Sequence, residues 1–265
     1  MIDIHHHIIY GVDDGAADAQ TMRKMLEAAS RDGIRTLIAT SHIAPGIEHF
    51  PMDKYYDRLL EAQALCETLA LDLRVLAGAE IRYTQQTALR LAEGSIPTLA
   101  GSNKVLLEFQ GNVRFEAIEE AVQTVLRNAA VPIIAHIERF PHLIFPVRHA
   151  KALKEQYEVY YQINSECILK SSALQINRSI RHLLREGLID FVASDTHNCG
   201  DRRCRMTETY QKLVTMVGRE YADKLTGKQA TAEEFLGRVD EQAIRNCVRI
   251  HRQKSQLRND ERNIR

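Results

Sequence analysis

The chain has 265 residues, enough for one large domain or two small ones that bury a hydrophobic core without disulfides. Its composition, 45% hydrophobic and 26% charged, excludes wholesale disorder and fibrous repeats. The 35 basic residues balance the 35 acidic residues, so no global positive charge is available for non-specific binding to nucleic acid or to an anionic membrane.

The sequence contains no segment that predicts secretion or membrane insertion. It opens without a basic leader and its apolar stretch, and no uninterrupted apolar run exceeds three residues. The cysteines are odd in number and scattered, which favours reduced thiols over a disulfide framework. These features predict a cytoplasmic protein, whose cysteines are Cys66, Cys167, Cys199, Cys204 and Cys247.

Short apolar segments rich in β-branched residues predict seven strands, which alternate with stretches of helical apolar spacing. The predicted strands are 2–7, 36–41, 73–80, 104–109, 131–136, 159–164 and 189–195. The predicted helices between and after them are 21–31, 54–69, 117–128, 148–157 and 177–185.

This alternation is typical of an α/β protein with parallel strands, and seven units in about two hundred residues favour an incomplete, TIM-like (β/α) barrel. An open doubly wound sheet is the competing architecture. No linker, low-complexity tract or repeat divides the chain. We therefore expect one domain over residues 1–250 and a polar tail over residues 251–265.

Imidazole and carboxylate side chains stand on, or just beyond, the ends of six of the seven predicted strands. Because the carboxyl ends of parallel strands meet on one face, we expect these side chains to converge. With an aspartate from the loop after the first strand, they make nine candidate metal ligands. The nine are His5, His7, Asp14, His42, Glu80, Glu108, His136, Asp195 and His197.

Each candidate also has a purely structural interpretation. A strand histidine is often only packed and hydrogen-bonded, and Val-Asp-Asp-Gly at 12–15 is typical of a turn or a helix N-cap. A glutamate that ends a buried strand can instead pair with an arginine. The most specific local pattern is Ala-Ser-Asp-Thr-His-Asn at 193–198, where an aspartate and a histidine leave a buried strand together.

The motifs around these residues resemble the polymerase and histidinol phosphatase (PHP) family, and in particular its bacterial tyrosine-phosphatase branch of the CpsB/YwqE type. They are Met-Ile-Asp-Ile-His-x-His, Val-Asp-Asp-Gly, Thr-Ser-His, Gly-Ala-Glu-Ile, Glu-Phe, Ile-Ala-His-Ile-Glu-Arg and Ala-Ser-Asp-x-His-Asn, within residues 1–217. The resemblance implies a distorted (β/α)7 TIM-like barrel with a trinuclear metal site. It also implies hydrolysis of phosphotyrosine on a bacterial autophosphorylating tyrosine kinase that controls capsular or extracellular polysaccharide export.

The resemblance favours manganese as the metal, although imidazole and carboxylate ligands without thiolate also suit iron, cobalt or zinc. The six positive charges of three divalent ions would exceed the four negative charges of the carboxylates, so the site is expected to attract a phosphate dianion. A metal-bridging hydroxide is then expected to attack phosphorus. The residue groups that the resemblance implies for the three ions are His5, His7, Glu80 and Asp195; Glu80, Glu108 and His136; and Asp14, His42 and His197.

Two arginines are expected on loops over the same face. Arg139 and Arg202 follow the candidate ligands His136 and His197, and planar guanidinium groups bind phosphate oxygens through paired hydrogen bonds. A surface salt bridge is the alternative for each, and the neighbouring 203 and 205 arginines are alternatives to Arg202. The loops 43–53 and 111–115 are expected to shape substrate access.

Two departures from the family pattern stand out. His6 occupies a position where the family usually has a small residue, and the sequence after about Lys224 does not follow the pattern. Alternation along the first strand directs His6 away from His5 and His7, so we expect it to make a polar contact on the far face.

Other functions remain open from the sequence. Histidinol-phosphate phosphatase, another small phosphoester hydrolase, a nuclease and a non-catalytic regulatory partner would all suit the same metals and barrel. The segment from Cys199 to Arg205 also satisfies Cys-x5-Arg, the spacing of thiolate phosphatases. Asn198 and Met206 replace the residues expected around that motif, and its interior is not glycine-rich, which disfavours thiolate chemistry.

Overall fold

A computed structural model describes residues 1–170 and 174–240, and side chains outside 174–177. The expected tail over 251–265 and the last residues of the expected domain lie outside the described residues. Within the described residues, strands and helices alternate along the chain, and the paired strands are parallel. The α/β class with parallel strands is therefore confirmed.

Short strands occupy all seven predicted positions. Two of the predicted strands are each followed by an interruption and a further short strand, so the described residues contain nine strands. They are β1 (Ile2–His6), β2 (Thr36–Ala39), β3 (His42–Ile43), β4 (Arg74–Ala77), β5 (Glu80–Arg82), β6 (Lys104–Glu108), β7 (Val131–Ile134), β8 (Tyr160–Asn164) and β9 (Phe191–Ala193).

The strands form one sheet in the order β1-β2-β4 and another in the order β3-β5-β6-β7-β8-β9. The chain passes from the first sheet to the second within two pairs, from β2 to β3 and from β4 to β5. Beyond β9, the backbone returns to β1, because Asp195 N–H donates to His5 O at 2.9 Å and His7 N–H donates to Thr196 O at 2.9 Å. The first and last strands therefore lie side by side.

Helices follow most of the strands, and the five predicted helices correspond to α1, α2, α4, α6 and α8 below. The shorter helices and those near residue 210 were not predicted. The helices are α1 (Ala19–Arg31), α2 (Met52–Thr68), α3 (Thr87–Ala92), α4 (Phe115–Arg127), α5 (Pro141–Ile144), α6 (Arg148–Gln156), α7 (Ser165–Leu169), α8 (Leu174–Arg185), α9 (Met206–Val217), α10 (Arg219–Thr226) and α11 (Ala232–Leu236).

Helix α1 shows why these segments become helical. The Asp18 side chain accepts the backbone N–H of Thr21 at 2.7 Å, which satisfies one of the donors that a helix N-terminus leaves open. Four buried residues recur at spacings of three and four along the helix, and burial of each Met or Leu side chain among them contributes about 1.5–3 kcal/mol. They are Met22, Met25, Leu26 and Ala29.

Two apolar clusters pack on the two faces of the strands. The larger cluster joins the strands to the surrounding helices. The smaller cluster contains side chains from one face of the strands and from α11. This helix packs against the end of the strands opposite the candidate ligands. Its buried members include Ile2, Ile4, Ile38, Leu76, Leu106, Ile133, Phe191 and Leu236.

The Tyr55 side chain on α2 reaches both points at which the chain changes sheet. Its hydroxyl lies 2.8 Å from Ala39 O and 2.9 Å from Gly78 O, and it accepts the Gly78 N–H at 3.0 Å. Ala39 ends β2, and Gly78 lies between β4 and β5. The hydroxyl therefore satisfies backbone groups that the interrupted strands leave without ladder partners.

Helix length and polarity also bear on membrane insertion. Across the ranges described above, no helix combines the length and the apolar character needed to cross a bilayer.

Candidate metal centre

The structure brings all nine predicted ligand residues together in one site. Within it, ring nitrogens and carboxylate oxygens of neighbouring residues lie 2.7–3.8 Å apart. Eight of the nine residues, all except Asp14, stand on, or shortly after, strand ends, as expected of parallel strands that share one carboxyl face. The nine are His5, His7, Asp14, His42, Glu80, Glu108, His136, Asp195 and His197.

Glu80 lies at the middle of this site. Its Oε2 is 3.1 Å from His5 Nε2 and 3.3 Å from His7 Nε2. The same oxygen is 2.9 Å from His42 Nδ1, and Oε1 is 2.7 Å from His136 Nε2. One fully buried carboxylate thus faces four imidazoles, an arrangement in which Glu80 could bridge two cations.

Glu108 and Asp14 extend the site on either side of His42. Glu108 Oε2 is 3.7 Å from His42 Nδ1, and Glu108 Oε1 is 3.8 Å from His136 Nε2. Asp14 Oδ1 is 3.4 Å from His42 Nε2 and 3.3 Å from His197 Nε2. The site therefore continues from the buried floor at Glu80 to the exposed Asp14 at the rim.

Three overlapping groups of residues could each hold a cation, because one ligand atom from every member lies within 4.8 Å of the others. Asp195 borders one of them, with Oδ1 3.4 Å from His5 Nε2 and 3.6 Å from His7 Nε2. The groups are His7, Asp14, His42 and His197; His5, His7 and Glu80; and His42, Glu80 and Glu108.

Irregular backbone directs several of these side chains into the site. The pairing of β1 with β2 slips in register between Asp3 and His6, so His5 shares a face with Ile4 rather than alternating with it. His136 and Asp195 have φ values of 32° and 53°, in the left-handed region that costs about 1–3 kcal/mol for most residues. These strained turns directly follow β7 and β9.

His6 lies on the opposite face from His5 and His7, as predicted, and its ring is fully buried. The expected polar contact of this ring is wrong, because neither ring nitrogen has a hydrogen-bond partner among the described residues. Burial holds the pKa of His6 well below its usual range, so the ring is neutral. His6 therefore acts as an apolar packing residue beneath the site.

The imidazole hydrogen bonds agree with metal binding. His7 Nδ1 is 2.8 Å from the Asp13 carboxylate, and His197 Nδ1 is 3.0 Å from Asp195 O. Both partners are acceptors, so the ring proton lies on Nδ1 and the Nε2 lone pair faces the site. These Nε2 atoms are buried and lack hydrogen-bond partners among the described residues. Unpartnered lone pairs converging with carboxylates form a donor set that suits divalent transition metals.

The charges of the site support the same conclusion. Burial disfavours the protonated form of His5, but the negative charges of Glu80 and Asp195 have the larger effect. The pKa of this imidazole is therefore raised. Despite burial, the neighbouring carboxylates of Asp13 and Glu80 raise the pKa of His7 to about 10, so without a metal a proton takes the position on Nε2 that a metal ion would occupy. Conversely, the surrounding histidines hold the pKa of Glu80 well below its usual range against the effect of burial. A buried carboxylate cluster thus requires cations, either protons or metal ions.

Asp13 is a site residue that the sequence reasoning missed, because it chose only Asp14 from the Val-Asp-Asp-Gly motif. Asp13 accepts from His7 Nδ1 and, at 3.1 Å, from the backbone N–H of His42. These bonds overcome burial and lower the pKa of Asp13 to about 2. The turn also needs Gly15, since a Cβ there would lie 2.2 Å from His7 O.

Strand β8, the one predicted strand without a candidate ligand, also contributes to the site. Gln162 lies 3.1 Å from His5 Nδ1, and Asn164 donates to Asp195 at 2.7 Å. Neutral amides carry no metal-ligand signature, so no pattern in the sequence pointed to them.

Both predicted arginines reach the site. Arg139 Nη2 donates to Asp195 Oδ2 at 2.8 Å, and Arg202 Nη2 lies 3.4 Å from the same carboxylate. Arg202 Nη1 also donates to Asp14 Oδ2 at 3.3 Å. The salt bridges that were the structural alternative thus exist, but they join the guanidinium groups to candidate ligands. Arg205 instead pairs with Glu208 at 2.7 Å.

The Cys-x5-Arg segment is not built to cradle phosphate. The backbone N–H groups of Gly200 and Arg202 donate to the Asn198 side chain at 2.8 Å and 3.1 Å, so they are not free for phosphate oxygens. Cys199 is an exposed, free thiol. Together with the pairing of Arg205, these contacts argue against thiolate catalysis.

A cavity of about 310 Å³ opens beside Asp14 and His42. Loop 43–51 and β5 form its walls, with Ile43, Phe50 and Arg82 among the lining residues. The predicted role of this loop in shaping access remains a prediction, but its position beside the candidate ligands agrees with it.

Comparisons with known proteins agree with this geometry. Residues 1–233 match a family model described as capsular polysaccharide synthesis, CpsB/CapC. This match extends beyond residues 1–217, over which the resemblance was recognised, and past Lys224, where the sequence was expected to leave the family pattern. The tyrosine-protein phosphatase CpsB of Streptococcus pneumoniae is 32% identical over 232 residues, which cover 85% of this chain and 94% of that protein.

The tyrosine-protein phosphatase YwqE of Bacillus subtilis is 30% identical over 239 residues, covering 85% of this chain and 89% of that protein. A crystal structure from work on B. subtilis YwqE and S. pneumoniae CpsB, described as metal-dependent tyrosine phosphatases, superposes with a TM-score of 0.76. It is 30% identical and covers 87% of this chain and 96% of that chain. Dihydropyrimidinase from Brevibacillus agri, at 12% identity and a TM-score of 0.50, shares the fold alone.

Proposed function

The chain belongs to the CpsB/CapC family of capsular polysaccharide synthesis proteins, and on that basis we propose that it is a metal-dependent protein-tyrosine phosphatase. The observation that carries the proposal is the convergence of nine imidazole and carboxylate residues, with two arginines at their edge. Phosphate-ester hydrolysis requires positive charge around the phosphate and an acidified water, and such a centre can supply both.

We propose that the parallel strands form a distorted (β/α)7 barrel within one domain over residues 1–250. The backbone bonds between the segment after β9 and β1 support a closed arrangement rather than an open sheet. The site then occupies the carboxyl end of the barrel, where enzymes of this architecture place their active sites.

The proposed centre takes three divalent ions, with manganese favoured over iron, cobalt and zinc. When bound, they would supply the positive charge that draws phosphate and acidifies water. The proposed residue groups are His5, His7, Glu80 and Asp195; Glu80, Glu108 and His136; and Asp14, His42 and His197. The groups of the structure that contain His5, His7 and Glu80 and that contain Asp14, His42 and His197 support the first and third of these. The group around Glu108 contains His42 where the proposal has His136, whose role is supported by its 2.7 Å distance from Glu80.

Arg139 and Arg202 are proposed to orient the phosphate. Their guanidinium groups are partly exposed and are held at the edge of the site by Asp195. A guanidinium has five N–H donors, so a group that already pairs with Asp195 retains donors for phosphate oxygens. The phosphate is then fixed between the arginines and the candidate ligands, with its ester bond directed outward.

The cavity beside Asp14 is proposed to receive the tyrosyl ring. Phe50, a half-buried aromatic residue, and Ile43 offer apolar surface there, close enough to the ligands for the phosphate to remain in the centre. An aromatic wall favours an aryl ester over an alkyl ester.

The proposed substrate is a phosphotyrosine protein, specifically an autophosphorylating tyrosine kinase of polysaccharide export, in the cytoplasm. The capsule-related description of the family supports the pathway. The balanced net charge argues against nucleic acid as the substrate.

The test is hydrolysis of a phosphotyrosine peptide by the purified protein, after chelation and after addition of Mn²⁺. Wild type, His136→Ala and Cys199→Ser are compared. We expect activity that is lost on chelation, restored by Mn²⁺, abolished in His136→Ala and retained in Cys199→Ser. Activity that resists chelation and disappears in Cys199→Ser would establish thiolate chemistry instead.

A further inference from the structure

We infer that two amides on β8, Gln162 and Asn164, are positioning residues that fix the orientation of three candidate ligands. The inference rests on the metal centre proposed above. Both side chains are buried, with 0% and 6% of their surface exposed. They stand two residues apart on the strand, so they point to the same face.

The two amides link ligands that come from three other strands. Gln162 Oε1 lies 3.1 Å from His5 Nδ1 and accepts the backbone N–H of His136 at 2.8 Å. Gln162 Nε2 donates to Asn164 Oδ1 at 2.9 Å, and Asn164 Nδ2 donates to Asp195 Oδ2 at 2.7 Å. The chain of hydrogen bonds therefore connects the ends of β1, β7 and β9 through β8.

The backbone N–H of His136 determines which atom donates and which accepts in each hydrogen bond of this series. The His136 N–H can only donate, so the atom of Gln162 that faces it must be the carbonyl oxygen. His5 Nδ1 approaches the same oxygen and must therefore carry a proton. Its Nε2 then faces the site, 3.1 Å from Glu80 and 3.4 Å from Asp195, where its lone pair could bind a metal ion. The hydrogen bond to Gln162 thus fixes the tautomer of His5 with its proton on Nδ1, which leaves Nε2 for metal binding.

The same reasoning orients Asn164. Gln162 Nε2 is a donor, so Asn164 must turn its oxygen toward it and its amide nitrogen toward Asp195. Asp195 Oδ2 then accepts from Asn164 while Oδ1 faces the histidines. The carboxylate is held with one oxygen toward the proposed metal.

Amides suit this position better than charged groups. The four acidic candidate ligands and Asp13 already place five carboxylates in the site, and a sixth would add repulsion in a buried region. A carboxylate also could not donate to Asn164, and an apolar residue would leave the His136 N–H without a partner. The amide of Gln162 accepts two hydrogen bonds and donates one without adding charge.

The test is calorimetric titration of the chelated protein with Mn²⁺ alone, beside thermal unfolding of the metal-free forms. The variants are Gln162→Leu, which removes both functions of the amide, and Gln162→Glu, which keeps the acceptor for His5 and His136. Gln63→Leu is the control, because Gln63 donates to Val75 O at 2.8 Å outside the site.

We expect Gln162→Leu to bind Mn²⁺ about 10–100-fold more weakly than wild type, the range for partners of metal-bound histidines. Gln162→Glu should recover most of that loss, and Gln63→Leu should bind as wild type does. Equal affinity of wild type and Gln162→Leu would overturn the inference and leave the metal centre standing, even if the variant unfolds earlier. Absence of Mn²⁺ binding by wild type would overturn the metal centre itself.

Discussion

Replacement of Tyr55 by phenylalanine tests how the interrupted strands are held in place. The hydroxyl is fully buried, accepts from Gly78 N–H and shares its proton between Ala39 O and Gly78 O. Burial raises the pKa of Tyr55, so the phenol stays protonated and can donate. Phenylalanine keeps the ring and its packing, and only the polar contacts are lost.

The cost follows from those contacts. An unpaired buried N–H costs about 1–3 kcal/mol, and the lost donor bond adds about 1 kcal/mol. Tyr55→Phe should therefore lower the free energy of unfolding by about 2–4 kcal/mol. For a chain of 265 residues, about 2 °C per kcal/mol predicts a fall in Tm of about 4–8 °C.

Calorimetry of the metal-free protein measures this, with Tyr161→Phe as the matched control. Tyr161 is also fully buried, but its hydroxyl makes a single described bond, to Ala150 O at 2.7 Å. We expect a fall of only about 2 °C for the control. Equal shifts for the two variants would refute the role assigned to the Tyr55 hydroxyl.

Further predictions concern the site. Asp13→Asn should weaken Mn²⁺ binding about 10–100-fold in calorimetry, because an amide cannot accept from His7 and from the backbone N–H groups of Gly15 and His42 as the carboxylate does. Arg139→Lys and Arg202→Lys should each lower kcat/KM for a phosphotyrosine peptide about 10–100-fold, while Mn²⁺ affinity changes little. Phe50→Ala should raise KM for that peptide roughly tenfold and leave KM for a phosphoserine peptide unchanged. When free Mn²⁺ is present at 100 times the Kd of a site, removal of the ion from that site by chelation should lower the Tm of wild type by about 5 °C.

The sequence predicted the strand positions and the convergence of ligands well, because both depend on local patterns. Apolar β-branched segments fix where strands form, and parallel pairing alone brings their ends together. His42 and Glu80 were selected as candidate ligands because they follow buried strands. The interruptions after β2 and β4 did not affect this selection, since each residue still follows its strand.

Features that depend on tertiary contacts were not predictable. The register slip before His6 and the left-handed turns at His136 and Asp195 have no local signal, yet they direct ligands into the site. Asp13 and Asp14 are adjacent, and only the fold separates the residue that orients His7 from the one that faces the rim.

The most direct test of the central claim is to count bound metal and measure phosphotyrosine-peptide hydrolysis in the same samples, as Mn²⁺ is returned to the chelated protein. Elemental analysis gives the ions per chain. We predict no activity in the chelated protein and a rise that reaches its plateau as the three proposed positions fill, with His136→Ala inactive throughout. Full activity in samples that hold less than one ion per chain would contradict the account.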